Sequence, residues 1–426
     1  MVKVIKYAGQ TPTELFGKRD EMSNNVEEAV KAIIADVREN GDSALRKYSA
    51  KFDGYTGDGL EVTQAEIEDT LASIDESYIR MLQNSIDNIE NYHRKQIKNG
   101  FEINLGDRIV GQKVTAVERA GIYVPGGTAA YPSTVLMNVI PAKIAGVKNV
   151  YVATPVKADG KVRAEVLVAA KMCGVDKIFK MGGAQAIAAF AYGTESVPKV
   201  DKITGPGRDF VATAKKLVYG VACGIDMIAG PSEILVLADG SANAEHVAAD
   251  LLSQAEHDKI ATAILITDSA ELANSVAFQL EKQVEKLERR EIAAASIKNN
   301  CKIIVTDDLP SAVELCNEYA PEHLELAVKE PFKLLDKVKN AGSVFLGYNT
   351  PEAVGDYYAG PNHTLPTSGT ARFASPLGVD DFVKTTQYVY YTKDALSKSA
   401  ADIIAFANSE GLGAHARSVS VRTENE

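Results

Sequence analysis

The stretch that decides the fold spans residues 121–155 and reads GIYVPGGTAAYPSTVLMNVIPAKIAGVKNVYVATP. Two short runs rich in β-branched residues, 121–124 and 149–153, flank a glycine-rich turn and an apolar segment at 135–145. The apolar segment is long enough for a helix, whereas the flanking runs have the length of strands. The order strand, turn, helix, strand predicts two parallel strands joined by a helical crossover.

The same alternation continues downstream and defines the fold class. Further short apolar runs with helical segments between them predict strands at 177–181, 234–238, 262–267, 302–305, 324–328 and 343–346. This pattern is typical of an α/β protein with mostly parallel sheets. Ligands of such sheets usually bind at the carboxyl ends of the strands, and we expect the site there.

The two ends of the chain differ from this middle part. Residues 26–37 place apolar side chains on one helical face, and a second helical run covers about 78–98. After about Pro376 the alternation stops, and the tail is predicted to be an extended piece followed by a helix at about 393–410. The tail has too little apolar periodicity to form a core of its own.

Composition narrows the class of function. The chain has 426 residues, 46% hydrophobic and 24% charged, with a formal net charge of -11. An acidic chain without a basic stripe argues against nucleic acid and anionic membranes as partners. No apolar run is long enough to span a bilayer, and the first residues lack the apolar core of a signal peptide. We therefore expect a cytoplasmic protein.

Histidines beside other polar residues mark the candidate chemistry. Gln254 and His257 stand three residues apart near the end of a predicted helix, so both project from one face and could ligate a metal ion. A polar helix end is the alternative interpretation. Glu322 and His323 follow a proline, and such a pair is typical of general acid–base catalysis. An exposed loop pair is the alternative there.

Two later segments add similar groups. Asp356 and His363 lie in a segment that reads as a loop, and Glu410 and His415 flank glycines after the last predicted helix. The sequence 411–416 nearly matches a dinucleotide fingerprint, but no strand precedes it and no acidic partner can follow some twenty residues on. That interpretation is rejected.

Glycine-rich turns after predicted strands could receive a nucleotide. These turns allow close approach of the backbone to a phosphate or ribose. They are Pro125-Gly126-Gly127, Gly182-Gly183-Ala184-Gln185 and Gly205-Pro206-Gly207.

Taken together, these segments resemble histidinol dehydrogenases over nearly the whole chain. Several long motifs occur in the order of that family, which is far more specific than any one of them. The motifs are ERAGIYVPGG from 118, GGAQAIAAFAYGTESVPKVDKITGPG from 182, DMIAGPSEILVLAD from 226, DLLSQAEH from 250, APEHLEL from 320, AGSVFLG from 341 and EGLGAH from 410.

The resemblance assigns roles to individual residues. The zinc ligands match Gln254, His257, Asp356 and His415, and the catalytic pair matches Glu322 and His323. The substrate contacts match Ser232, Gln254, His257, Glu322, His323, Asp356, Glu410 and His415. The NAD contacts match Tyr123 and Gln185, while Arg208 stands where the family has asparagine. His93 and His246 match nothing functional and are expected at the surface.

The resemblance also implies an architecture: two incomplete Rossmann-like domains, the second inserted into the first, with N- and C-terminal extensions used in dimerisation. The expected division is an N-terminal extension 1–20, a first domain 21–120 with 236–376, an inserted domain 121–235 and a dimerisation tail 377–426. Each tail is expected to complete the site of its partner in a homodimer.

The function implied is oxidation of L-histidinol through the aldehyde to L-histidine with one zinc ion per subunit and two NAD, the last step of histidine biosynthesis. Two alternatives remain at this point. A related zinc and NAD dehydrogenase could act on another small amino alcohol or diol. A zinc hydrolase would also pair glutamate with histidine near metal ligands, but it needs no nucleotide site.

Overall fold

The structure is a computed structural model that describes residues 2–17, 26–126 and 130–423. It divides into two compact units, one formed by Met1–Gln96 with Val117–Phe382 and the other by Ile97–Ala116 with Val383–Glu426. The predicted turn residue Gly127 lies outside the described residues. No helix within the described ranges is both long enough and apolar enough to cross a membrane.

The strands and helices are numbered in chain order. The strands are β1 (Val4–Lys6), β2 (Phe101–Asn104), β3 (Arg108–Ala116), β4 (Arg119–Tyr123), β5 (Asn149–Thr154), β6 (Lys177–Lys180), β7 (Lys202–Thr204), β8 (Gly224–Ile225), β9 (Glu233–Ala238), β10 (Thr262–Thr267), β11 (Lys302–Val305), β12 (His323–Ala327), β13 (Ser343–Leu346) and β14 (Val383–Tyr391). The helices are α1 (Pro12–Phe16), α2 (Glu27–Tyr48), α3 (Gln64–Ser73), α4 (Glu76–His93), α5 (Pro132–Ala145), α6 (Ala164–Met172), α7 (Gly183–Tyr192), α8 (Asp209–Val218), α9 (Ala244–Ala255), α10 (Ala270–Val284), α11 (Arg290–Asn300), α12 (Leu309–Tyr319), α13 (Pro331–Leu335), α14 (Glu352–Tyr357), α15 (Lys393–Ser409) and α16 (Gly413–Ser420).

Two parallel sheets form the first unit. One has the strand order β1-β11-β10-β9-β12-β13 and the other the order β6-β5-β4-β7-β8. All pairs within them are parallel. Each strand predicted from the sequence is present within one residue at either end, except that β4 begins two residues earlier than predicted, and this agreement confirms the α/β class. Strands β1, β7 and β8 were not predicted, because runs of two or three residues carry no periodicity.

The six-stranded sheet is buried on both faces. Along β9, Ile234, Val236 and Ala238 pack into one apolar cluster with α9 and α10, while Leu235 and Leu237 pack into another with α12. Successive side chains of a strand point to opposite faces, so a continuous apolar run is needed wherever helices cover both sides. The run EILVLA meets that need.

The first helices belong with the five-stranded sheet. Helix α2 packs against α7 and α8, and its Val30 and Leu45 share a core with Phe179 and Phe190. The expected division of the chain assigns this helix, which lies within 21–120, to the domain of the six-stranded sheet. His93 at the end of α4 is fully buried, with its Nδ1 2.7 Å from Gln96 Oε1, so the prediction of a surface position was wrong. His246 is exposed as predicted.

The second unit is an antiparallel sheet, β14-β3-β2, with α15 and α16. The predicted extended piece and helix of the tail are therefore confirmed as β14 and α15. Few of its side chains are buried, and those in its helices are the alanines Ala395, Ala400 and Ala416. Large apolar side chains stay exposed, including Phe101, Val389 and Phe406 at 56%, 69% and 70%.

Candidate functional site

The Glu322–His323 pair lies at the amino end of β12. Helix α12 ends at Tyr319. The next residue, Ala320, has a left-handed backbone (φ 51°) that turns the chain into the strand. His323 then pairs in register with Ile234 of the neighbouring β9. We had expected the site at the carboxyl ends of the strands, and for this pair that expectation was wrong. A helix that connects parallel strands runs opposite to them, so α9 and α12 both deliver their carboxyl ends to this amino edge.

His323 is held by contacts through one ring nitrogen. Its Nδ1 lies 3.0 Å from the carbonyl oxygen of Glu233 and 2.9 Å from Nε2 of Gln254. Among the described residues, its buried Nε2 has no hydrogen-bond partner. If Nδ1–H donates to the Glu233 carbonyl, the Nε2 lone pair is free, which is the arrangement a general base requires.

Carboxylates surround this imidazole. Glu322 Oε2 accepts a 2.8 Å hydrogen bond from the backbone N–H of Glu233 and lies 3.5 Å from His323 Nδ1. On the other side, Asp356 Oδ1 and Glu352 Oε1 lie 3.5 and 3.9 Å from Nε2. Burial disfavours the charged imidazole, but the charges of Glu322 and Glu352 outweigh it and hold the pKa of His323 well above its usual value.

Three of the predicted zinc ligands belong to the first unit. Gln254 is buried on α9 and turns its Nε2 toward Glu233 and His323. His257 lies in the turn after the helix and is exposed. The surrounding protein still removes part of the hydration of the imidazole and lowers the pKa of His257, which favours the neutral form that can bind a metal. Asp356 is half-buried; burial raises the pKa of its carboxyl, but His323 and His363 lower it further, and the net shift is downward.

Asp356 was expected in a loop but lies in helix α14, one residue before its end. Glycine at 355 suggested a loop, whereas three residues of α14 precede this glycine and only the segment after Tyr357 is irregular. His363 lies in that segment, with its Nδ1 3.1 Å from the carbonyl oxygen of Asp356. Ser232 precedes β9 and is half-buried. Glu410 and His415 lie in the second unit, where both are exposed and His415 lies in the first turn of α16.

Sequence reasoning missed Glu352. Within the described residues, His323, Glu352 and Asp356 form a group whose ligand atoms lie within 4.8 Å of one another, as a metal site requires. Glu352 is buried, accepts a 3.1 Å hydrogen bond from the Ser253 hydroxyl, and burial raises its pKa to about 7. A glutamate in the first turn of a helix is ordinary, so the sequence carried no signal for it.

The candidate nucleotide contacts lie at the carboxyl edge of the five-stranded sheet, as expected. Tyr123 ends β4, and its hydroxyl accepts a 3.1 Å hydrogen bond from the backbone N–H of Gly183. Gln185 is buried on α7, and its Oε1 has no partner among the described residues. An unpaired buried amide oxygen is costly unless a ligand completes it.

The loop after β7 is fixed from both sides. A Cβ on Gly205 would lie 2.0 Å from the carbonyl oxygen of Tyr123, and the residue has φ +111°, so only glycine fits. Its N–H donates to Asp226 Oδ2 at 2.8 Å, and its carbonyl accepts from Lys215 Nζ at 2.9 Å. Lys215 and Asp226 form a buried ion pair. The loop is therefore rigid where a cofactor would approach.

Arg208 connects the two candidate sites. It precedes α8, its side chain is 87% exposed, and it forms a 2.8 Å ion pair with Asp258. Asp258 directly follows His257. The loop after β7 at the carboxyl edge of the five-stranded sheet thus contacts the turn after α9 at the amino edge of the six-stranded sheet, and the candidate nucleotide contacts adjoin the side that carries Glu322 and His323.

Comparison with known proteins identifies the family of the chain. The family model for histidinol dehydrogenase matches residues 17–423. Histidinol dehydrogenase from Lactococcus lactis is 52% identical over 428 residues, 99% of each chain, and that from Streptococcus mutans is 56% identical over 414 residues, 96% of each chain. The crystal structure of histidinol dehydrogenase from Elizabethkingia anophelis is similar with a TM-score of 0.95 and 37% identity, covering 99% of this chain and 98% of that one.

Proposed function

Since the chain belongs to the histidinol dehydrogenase family, we propose that L-histidinol is oxidised at the amino edge of the six-stranded sheet, with NAD bound at the carboxyl edge of the five-stranded sheet. The enzyme is an NAD-dependent oxidoreductase of the last step of histidine biosynthesis. Family membership decides against the hydrolase and against another amino alcohol. The unpaired Nε2 of His323, facing two carboxylates, is the observation that carries the placement of the site.

The residues present fit a zinc ion. An amide oxygen, an imidazole and a carboxylate are suitable donors, and we assign them to Gln254, His257 and Asp356, with His415 as the fourth. Bound there, zinc would hold the substrate through its imidazole and amine nitrogens and so orient the reacting carbon. The Gln254 NH2 group donates to the Glu233 carbonyl, so the Oε1 atom of the same amide points away from that carbonyl. This orientation supports Gln254 as a zinc ligand through Oε1.

The reaction transfers two hydrides to NAD and two protons to residues of the site. His323 Nε2 takes the hydroxyl proton of histidinol while the adjacent carbon gives a hydride to NAD, which leaves the aldehyde. Glu322 then removes a proton from water, with His323 assisting, and the water oxygen adds to the aldehyde carbon to give the anion of the hydrate. This anion gives a second hydride to another NAD and becomes the carboxylic acid. The buried site keeps the reactive aldehyde from escaping.

The aldehyde provides the test of this sequence. L-histidinal supplied as the only substrate should yield one NADH per molecule consumed, because it enters after the first oxidation. During oxidation of histidinol, an aldehyde trap in solution should collect almost nothing. Accumulation of trapped aldehyde would contradict a single site that performs both oxidations.

We propose a homodimer in which each tail completes the site of its partner. Support comes from the second unit, which exposes large apolar side chains such as Val389 and Phe406 and carries Glu410 and His415 on its surface. Exposed apolar surface of this kind is typical of an interface. We also propose that residues 377–426 form the dimerisation tail and that residues 121–235 form an inserted domain.

Mixing two inactive chains tests the shared site. A His257→Ala chain and a His415→Ala chain should each be inactive, whereas their mixed dimer should regain some activity. One of its two sites then contains only native ligands, and the other lacks both. If a verified mixed dimer stays inactive, the tail serves its own subunit.

Arg208 is expected to affect only the cofactor. Asparagine can donate and accept hydrogen bonds, whereas arginine only donates and carries a permanent charge close to the start of α8. Arg208→Asn should change the Michaelis constant for NAD by at least about threefold with little effect on histidinol. Asp258→Asn is the matched control, since it frees Arg208 without removing it. Unchanged NAD kinetics in Arg208→Asn would show that Arg208 has no role in cofactor binding and only forms the ion pair with Asp258.

A further inference from the structure

The five-stranded sheet lacks an acidic residue at a position where nucleotide-binding sheets of its type carry one. With the strand order β6-β5-β4-β7-β8, β4 is the first strand of a Rossmann-like unit and β5 is the second. In such units an acidic residue near the end of the second strand binds the hydroxyls of the adenosine ribose. Here β5 ends at Thr154 and is followed by Pro155-Val156-Lys157-Ala158. The next acid, Asp159, is exposed and accepts from the backbone N–H of Lys161.

The N-terminal helical segment brings a carboxylate to this place. Helix α2 continues into a π-helical turn, Ser49–Asp53, and Gly54 in the left-handed conformation (φ 69°) ends it. Gly54 lies against the loop after β5, because a Cβ built on it would be 3.6 Å from the Ala158 Cβ. Asp53 therefore stands beside the end of the second strand although it comes from a distant part of the sequence.

The Asp53 side chain is half-buried, and one of its two carboxylate oxygens is buried. Within the described part of the chain, its Oδ2 has no hydrogen-bond partner. Burial raises the pKa of Asp53 to about 6, so the carboxylate is mostly charged at pH 7 and above. Its charge also acts on the hydroxyl of Tyr123. A buried charged oxygen without a partner is costly, and a ligand hydroxyl would relieve the cost.

Glycines allow the loops at the ends of these strands to pack closely against one another. A Cβ on Gly126, after β4, would lie 2.3 Å from Pro155 Cγ, and one on Gly182, after β6, would lie 2.6 Å from Pro155 Cβ. The loops after three adjacent strands thus close together at one point. Asp53, Tyr123 and the unpaired Gln185 Oε1 belong to this carboxyl edge.

We propose that Asp53 accepts hydrogen bonds from the adenosine ribose hydroxyls of NAD and makes the enzyme reject NADP. A carboxylate binds a ribose diol well, and its charge repels the 2′-phosphate of NADP. The inference rests on the nucleotide site proposed above and adds to it the residue that determines cofactor specificity.

The test measures equilibrium binding of NAD and NADP to the zinc-loaded full chain. Asp53→Asn keeps the shape but removes the charge. It should raise the Kd for NAD about tenfold and leave the Kd for NADP unchanged or lower, so that the Kd for NADP divided by the Kd for NAD falls at least about tenfold. Asp53→Ser, a smaller variant, should act in the same direction if the asparagine variant folds poorly. Asp58→Asn, an exposed acid close by in sequence, is the matched control and should change neither constant.

A Gln185→Leu variant distinguishes failure of the role proposed for Asp53 from failure of the proposed nucleotide site. If Gln185→Leu weakens NAD binding but both Asp53 variants bind NAD and NADP as the native enzyme does, the role of Asp53 is refuted and the nucleotide site stands. If none of these variants changes NAD binding, the nucleotide site itself is misplaced and the inference fails with it.

Discussion

Replacing His323 with asparagine is expected to lower turnover by a factor of about 100 or more while the zinc content stays near one per chain. Asparagine retains a polar group that can donate to the Glu233 carbonyl, but it offers no base at the position of Nε2. The loss should therefore appear in kcat rather than in the binding of histidinol. Steady-state kinetics together with metal analysis of the same sample measures both.

The pH profile gives this prediction a second readout. A base works only when neutral, and the carboxylates of Glu322 and Glu352 raise the pKa of His323. Turnover of the native enzyme should thus be low below that pKa and rise as the pH passes through it, whereas the residual activity of His323→Asn should lack this rise. His246→Asn, an exposed histidine on α9, should retain native kinetics. Near-normal turnover in His323→Asn would refute its assignment as the base.

The His257→Ala variant is expected to lose both bound zinc and turnover. Gln254 and His257 leave the end of α9 together, and the lowered pKa of His257 keeps it in the neutral form that a metal needs. Alanine removes one of the four proposed protein donors, and only one imidazole, that of His415, then remains beside the more weakly binding amide and carboxylate. Metal content after dialysis and the initial rate of NADH formation are the measurements.

A matched variant separates metal loss from a general defect. His246→Ala replaces a histidine on the same helix whose side chain faces solvent, and it should keep both zinc and activity. Thermal unfolding should show His257→Ala still folded, because the residue is exposed and lies after the helix. Full turnover in a zinc-free His257→Ala enzyme would show that the metal is incidental.

Local patterns explain why most of the fold was predictable. A strand buried on both faces must be apolar throughout, as β9 is, and the helices between strands are long enough to show their period. The buried polar connections carry no such pattern. Glu352 comes close to His323 only after the chain has passed through α13 and β13, and the buried His93 contacts Gln96 and Asn362, of which Asn362 is distant in sequence.

The position of Glu322 and His323 is the main lesson for sequence interpretation. The carboxyl-edge rule agrees with the position of the proposed nucleotide contacts Tyr123 and Gln185, which lie where the strands of the five-stranded sheet end and its helices begin. It failed for Glu322 and His323, which use the opposite edge of the other sheet. The Arg208–Asp258 ion pair shows how these two edges meet, and no motif in the sequence predicts that contact.

The most direct test of the account counts NADH molecules per molecule of L-histidinol consumed, with and without a zinc chelator. If one zinc-containing site performs both oxidations, the native enzyme should form two NADH per histidinol and release histidine. Chelation should abolish the reaction, and added zinc should restore the ratio of two. One NADH per histidinol with release of the aldehyde, or an unchanged rate in metal-free enzyme, would contradict it.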